Sequence, residues 1–297
     1  MIEIEFSLNI YRIARIDAAI FENVPNLSEL ILDDNQLTNT GVSQRAFEGV
    51  RQLSRLSLME NQFTEFPGFL PGSLRQLYLS QNQISFVSAA SLQFLPAVEI
   101  LYLDRNKLSD GSFELGALNT LGNLDELELG YNFLTLIPSG INRALRRLHL
   151  TANQLVYLRT SQLNHFERLH TLDLAFNRIQ SVEREAMQSL TSLVRIDLAG
   201  NNWNCDCYLR PLKRFLASNA AQHLALEHVL CGDEEHLGMN LNRIAAQSLS
   251  CPKVDFSLAK TAKGHGNGAS VSVTLDATTE NPPFVQFKLQ YSSTGNF

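Results

Sequence analysis

Along most of this chain apolar and polar residues alternate over a few positions and then stop at an asparagine. In "LDELELGYNFL", from Leu124 to Leu134, the leucines at 124, 127 and 129 lead into Asn132; the same frame returns in "LSELILDDNQL" from Leu27, "LSRLSLMENQF" from Leu53 and "LRQLYLSQNQI" from Leu74. A period of two belongs to a strand with one buried face. Leu127 and Leu129 are therefore expected to enter a core, with Glu126, Glu128 and Gly130 on the opposite surface. The chain must turn where the alternation ends, and an inward Asn132 can satisfy the buried backbone groups of that turn, because its amide both donates and accepts.

The frame places an asparagine at positions 35, 61, 82, 106, 132, 153, 177 and 201, with a weaker first copy at Asn9 in "MIEIEFSLN", nine copies in all. Spacings of 21 to 26 residues lie in the range of leucine-rich repeats, in which each copy contributes one short strand and a return segment to a stacked solenoid. The expected fold is an α/β leucine-rich-repeat horseshoe with a parallel concave sheet. A second apolar rank precedes the strands (Phe21 and Val24, Phe47 and Val50, Leu92 and Leu95, Leu118 and Leu121, Leu163 and Phe166, Met187 and Leu190) and is expected to fill the convex side of the core. Asparagines three copies apart from Asn35 onward are separated by 71 residues, up to Asn106 and Asn177. Two short copies, "FTEFPGFLPGSL" and "LTLIPSGINRAL", carry proline where longer ones have a helical-looking turn, so their return segments should be extended. This short-long-long order resembles the small leucine-rich proteoglycans of extracellular matrix, over roughly Asn9 to Asn201.

All four cysteines follow the last repeat, as Cys205-x-Cys207, then Cys231 and Cys251, with Trp203 before them and "LRPLKRFL" after the first pair. The pattern resembles the cysteine-rich C-terminal cap of extracellular leucine-rich-repeat proteins, a disulfide-stapled lid for the open end of a solenoid. Spacing alone leaves three connectivities open; the resemblance implies Cys205 with Cys231 and Cys207 with Cys251. The competing reading is a metal site of Cys205, Cys207 and one of His223, His228 or His236, but Cys-x-Cys is tighter than ordinary zinc spacing. The cap departs from the proteoglycan pattern, which closes with a longer terminal repeat and has cysteines ahead of the first repeat.

The expected organisation is repeats over 1–203, the cap over 204–252, and a linker with partial immunoglobulin-like or fibronectin type III-like strands over 253–297. In the last part, Val271 to Leu275 and Val285 to Tyr291 alternate around Pro282-Pro283 like adjacent strands of a sandwich that about 45 residues are too few to complete. The formal charge of −6 gives no general reason to bind nucleic acid, and no apolar run is long enough to cross a bilayer. The start lacks a leader and begins inside a repeat, so the sequence is expected to be a fragment of a protein of the secretory pathway, extracellular or at the cell surface. There is no phosphate loop, nucleophile elbow or metal-helix motif. Acid pairs such as Asp33 with Asp34 recur at repeat-equivalent surface positions and read as a solvated face. The expectation is a non-enzymatic protein that needs no cofactor.

The concave ladder is the candidate site. Its outward residues include Tyr78, Tyr102, Glu128, His149, Asp173 and Asp197, with Asp104 beside them and Tyr131 and Phe176 farther along the rim. Strands roughly 4.8 Å apart should stack Tyr78 and Tyr102 side by side, and tyrosine suits protein interfaces. Outward strand positions carry thirteen acids against six arginines, so the expected ligand is a protein with a cationic or amide-rich surface. Arg146 and Arg147 offer a local spot for anions. Asn26, in "NLS", is the only glycosylation sequon and is expected in an exposed turn. These features point to part of an adhesion or signalling receptor ectodomain. A secreted matrix organiser and a soluble innate-immune recognition protein are the alternatives.

Overall fold

A computed structural model describes residues 4–9, 11–18, 20–68, 70–218, 228–251, 254–258 and 271–275. Nine short strands form one parallel sheet: β1 (Ile4–Ser7), β2 (Leu27–Ile31), β3 (Arg55–Ser57), β4 (Gln76–Tyr78), β5 (Ile100–Tyr102), β6 (Glu126–Glu128), β7 (Arg147–His149), β9 (Thr171–Asp173) and β11 (Arg195–Asp197). Two-residue strands β8 (Tyr157–Leu158) and β10 (Ser181–Val182) pair outside it. Each chain turn adds one strand beside the last, so residues at equivalent repeat positions form rows across the sheet. One such row runs Tyr78, Tyr102, Glu128, His149, Asp173, Asp197.

The core is a stack of leucines: Leu56, Leu77, Leu101, Leu127, Leu148 and Leu172 are all buried, as are Leu58, Leu79, Leu103, Leu129, Leu150 and Leu174. Each contributes roughly 1.5–3 kcal/mol of burial. The convex rank is buried from Phe47 to Leu190, while Phe21 and Val24 at the open end are partly covered and Phe21 stacks on Phe47 at 6.0 Å. The asparagines form a ladder. Asn132 Oδ1 accepts from Leu108 N–H of the preceding repeat at 3.0 Å, while its amide nitrogen donates to the carbonyls of Leu103, Leu129 and Gly130. The same pattern recurs at Asn35, Asn61, Asn82, Asn106, Asn153, Asn177 and Asn201.

Return segments differ as their prolines dictate. The longer copies carry helical turns such as α1 (Ala89–Leu92) and α2 (Thr160–Leu163), whereas both short copies are extended. Asn39 and Asp110, 71 residues apart, each cap the extended segment that follows: Asn39 Oδ1 accepts from the Thr64 and Glu65 N–H groups, Asp110 Oδ1 from those of Thr135 and Leu136. Beside the first short copy the convex side is notched by a cavity of about 570 Å³ lined by Phe47, Val50, Leu70 and Phe94. Beside the second, Asn142 turns inward and donates to Leu121 and Leu124 carbonyls at 2.8 and 3.0 Å.

Ahead of the first cysteine pair Trp203 is fully buried, and its indole N–H donates to Leu198 O at 3.3 Å. Disulfides join Cys205 to Cys231 and Cys207 to Cys251, with Cα separations of 5.5 and 4.8 Å. Helix α3 (Arg210–Ala217) buries Leu212 and Leu216 in the common core and aims Lys213 at the carbonyls of Leu241, Asn242 and Ile244. With both disulfides formed, Cys205 and Cys207 are not thiolate ligands, and His236 Nδ1 lies 3.0 Å from Asp233; His228 is exposed and His223 lies outside the described residues. Beyond the cap, β12 (Val254–Leu258) pairs antiparallel with β13 (Val271–Leu275). The strand partner expected for Val271–Leu275, Val285 to Tyr291, lies outside the described residues. No described helix is long and apolar enough to cross a membrane.

Candidate functional site

The concave face is built from the outward positions of β2 to β11, where the core leucines leave alternate side chains no other direction. Tyr78 and Tyr102 occupy adjacent strands in register. Their rings meet edge to face, 5.0 Å between centroids at 79°, rather than stacked side by side; the quadrupoles of two rings favour this arrangement. Each hydroxyl is tied down, Tyr78 donating to Gln76 Oε1 at 3.0 Å and Tyr102 to Glu126 Oε1 at 2.6 Å. Arg55 lies over the Tyr78 ring, 5.1 Å from its centroid.

Glu126 and Arg147 hold this aromatic pair from the next strands; the sequence pattern puts Glu126 on the concave surface and Arg147 in a spot for anions, but does not join them to Tyr102. Arg147 donates through Nε to Glu126 at 2.6 Å and through a terminal nitrogen to Asp125 at 2.6 Å. The repeat register carries the signal: Glu126 and Arg147 sit opposite each other in one row. Burial would raise the Glu126 carboxyl, but hydrogen bonds from Tyr102 and Arg147 outweigh it and leave it below its ordinary value. Tyr102 is raised, by burial first and then by its bond to Glu126.

Glu128 lies in the opposite situation. Burial, with the negative charges of Asp104, Asp173 and Glu126, pushes it up to about 7 against a single hydrogen bond from the Gly130 N–H at 2.9 Å. His149 is 3.9 Å away and is lowered, because burial outweighs the attraction of Asp173 and Glu126. Asp104 accepts from Ser80, and Asp173 and Asp197 accept from Ala175 and Ala199 N–H, each at 3.0 Å. Among the described residues no Lys or Arg comes within ion-pair distance of Asp104, Glu128, Asp173 or Asp197.

The acid surplus of this face is therefore uneven. Near the strand starts, Glu29 pairs with Arg55, Glu99 with Arg75, and Asp125 with Arg146 and Arg147. At the strand ends the carboxylates lack such partners. Tyr131 and Phe176 stand on the turn rim at the residue before each asparagine, both with φ of 54°. This column, which includes Glu60, Gln81, Arg105 and Ala152 at φ of 53–56° and Gly200 at 66°, needs a left-handed residue to bring the next asparagine inward. Arg105 covers the Tyr131 ring at 4.0 Å. Ser57 and Ser80 donate to Asp33 and Asp104, an arrangement that orients hydroxyls without an imidazole to activate them. Asn26 is exposed, in the turn just before β2.

Comparison with known proteins matches this architecture. The family model described as "Leucine rich repeat" covers residues 5–63, 68–108 and 143–202, more than half of the chain. Lumican of Gallus gallus is 34% identical over 190 residues, 64% of this chain and 55% of lumican. The leucine-rich repeat transmembrane protein FLRT2 of Mus musculus is 27% identical over 242 residues, 81% of this chain and 36% of that protein. The chain thus spans about half the length of lumican and about a third of FLRT2. A chain of the octameric complex of Latrophilin 3, Unc5D and the FLRT2 leucine-rich repeats superposes with a TM-score of 0.76 at 26% identity, covering 84% of this chain and 76% of that one. With the asparagine ladder, the parallel sheet and the family match in agreement, the chain belongs to the leucine-rich repeat family.

Proposed function

We propose that this chain is a non-enzymatic extracellular protein-binding module, part of an adhesion or signalling receptor ectodomain, whose concave face between Tyr78 and Phe176 receives the partner. The observation that carries the reading is the pre-set centre of that face. The Tyr78–Tyr102 pair is fixed by the Glu126–Arg147 network, so ordering it on binding costs little side-chain entropy. Fixed aromatics beside unmatched carboxylates give a contact surface with an anchor and a preferred partner charge. The likeness to the FLRT2 repeats of an octameric complex with Latrophilin 3 and Unc5D supports protein binding. The repeats, the cap from 204 to 252 and a following partial sandwich would then be one stalk of a larger ectodomain, with Asn26 as its glycan site.

A secreted matrix organiser is the second reading, and the 71-residue period together with the 34% identity to lumican favours it. The full transcript separates the two, since the receptor reading requires a membrane span and the matrix reading none. The concave assignment is tested by screening the dimerised chain against an array of purified extracellular domains. A cognate domain should lose at least tenfold in affinity on Tyr102→Ala, mainly through faster dissociation. Binders indifferent to Tyr78→Ala, Tyr102→Ala and Glu128→Lys would move the site to the convex face or the cap.

A further inference from the structure

Resting on the concave-face reading, we propose that the sheet from β6 to β11 is polarised along its strands and takes an extended segment of a protein partner. That segment carries an acidic group at one end and a basic group beside an apolar side chain at the other.

Two rims of opposite character face each other across these strands. Arg195 opens β11, and Arg143 and Arg168 stand in the turns that lead into β7 and β9; all three are exposed, with no carboxylate of the described residues within ion-pair distance. Arg146 and Arg147 lie in the same region but share Asp125 and Glu126. At the strand ends stand Glu128, Asp173 and Asp197, each holding one backbone N–H and matched by no Lys or Arg. The register places Asp173 and Asp197 side by side in one row, with His149 between them and Glu128. Past it the turn column supplies apolar surface: Tyr131 is 48% and Phe176 63% exposed, with the small Ala152 occupying the equivalent position between them. That small residue leaves a step between two rings, a place for an apolar side chain.

The strand between the rims, β9, is three residues, Thr171–Asp173, roughly 10 Å at the strand rise, the reach of about three extended residues of a ligand. Like-charge contact disfavours the reversed orientation, so the two rims set direction as well as charge. A polyanion meets the carboxylate row within two residues of Arg195, at Asp197, and is repelled there. The occupant is therefore a protein segment rather than a sulfated polysaccharide.

The probe is a random twelve-residue peptide display library selected against the whole chain. Enriched peptides should carry an acid and a base two to four residues apart, with an aromatic or aliphatic residue beside the base. Synthetic copies should bind at least tenfold more weakly to Arg195→Glu and to Asp173→Arg, and selection on the Arg195→Glu, Asp173→Arg double variant should enrich the opposite order. Thermal unfolding checks that the variants are folded; if either reversal prevents secretion, Arg195→Gln and Asp173→Asn replace it with a smaller loss expected. Peptides lost on Tyr102→Ala but indifferent to both reversals would overturn the polarity and leave the concave site standing. Peptides indifferent to all three substitutions, or no enrichment at all, would overturn both. A heparin hexasaccharide that binds the wild type and is lost on Arg195→Glu would overturn the choice of a protein segment.

Discussion

The Tyr102 hydroxyl donates to Glu126 Oε1 at 2.6 Å, linking the centre of the concave face to the neighbouring strand and, through Arg147, to the strand after it. A hydrogen bond to a charged group contributes more than a neutral one, but this site is only half-buried. Tyr102→Phe should therefore lower stability by about 1 kcal/mol. Tyr102→Ala also loses the edge contact with Tyr78, worth about 0.5–1.5 kcal/mol more. Urea unfolding of both variants checks the order; a Phe variant as unstable as the Ala variant would show that the ring contact contributes nothing.

Asn132 is one rung of the ladder that joins consecutive repeats. Its removal strands the buried Leu108 N–H, while the carbonyls of Leu103, Leu129 and Gly130 each lose one donor and keep another, from Asn106, Asn153 and Arg105. One stranded N–H costs about 1–3 kcal/mol, so Asn132→Ala should lose about that much and reduce secretion. Hydrogen exchange should place the loss in the repeats on either side of residue 132. Uniform protection across the solenoid would contradict the rung's role.

The repeat, the ladder and the buried ranks were legible because they follow from backbone needs that recur with the strand. Every copy must bury two leucines and close one turn, so Leu127, Leu129 and Asn132 announce themselves. Side-chain orientation does not recur in this way. The alternation put Tyr78 and Tyr102 on one face but could not choose edge-to-face over stacking, since that depends on rotamers. The partners of Arg147 depend on which residues lie opposite it, and repeats of unequal length hide that register in a linear reading. Tyr131 and Phe176 were visible as aromatics, but the left-handed backbone that lifts them onto the rim follows from the closing of the turn, not from their own residue type. In the tail, Val271–Leu275 has the alternation of a strand, yet alternation does not name its partner. The structure pairs one of its edges with Val254–Leu258, whose five residues carried no separate turn signal, while the expected partner Val285 to Tyr291 lies outside the described residues.

Glu128 and His149 give the concave face opposing pH dependences. The Glu128 carboxyl stands at about 7 in the folded chain against an ordinary 4.5. Between those values the folded state holds a proton that the unfolded state has released, so this group's contribution to stability falls as pH rises from about 4.5 to 7 and is flat above. His149 is lowered beneath 6.5, so its contribution falls as pH drops below that value. In a His149→Gln background, Glu128→Gln should therefore match its parent near pH 4 and exceed it in stability at pH 8. Equal stability at both ends would mean that Glu128 titrates like an exposed carboxylate.

Gly200 closes the turn column with φ of 66°, and a Cβ placed on it would lie 2.5 Å from Cδ1 of Phe176. Two causes of damage on Gly200→Ala can be separated by the repeat itself. Ala152 holds the equivalent position with φ of 54°, so the fold accepts an alanine in this backbone at a cost of about 1 kcal/mol. The counterpart of Phe176 there is Tyr131, whose ring is packed against Arg105 at 4.0 Å. Gly200→Ala should thus cost more than that backbone term alone, and most of the excess should vanish in a Phe176→Ala background, an interaction of about 1 kcal/mol or more in a double-mutant cycle. Because the methyl group can be accommodated only if the ring swings away, the single variant should also weaken any partner that uses Phe176, while Gly200→Ala with Phe176→Ala should bind no worse than Phe176→Ala alone. Additive stability losses would show that the backbone at 200, not the ring, sets the requirement for glycine.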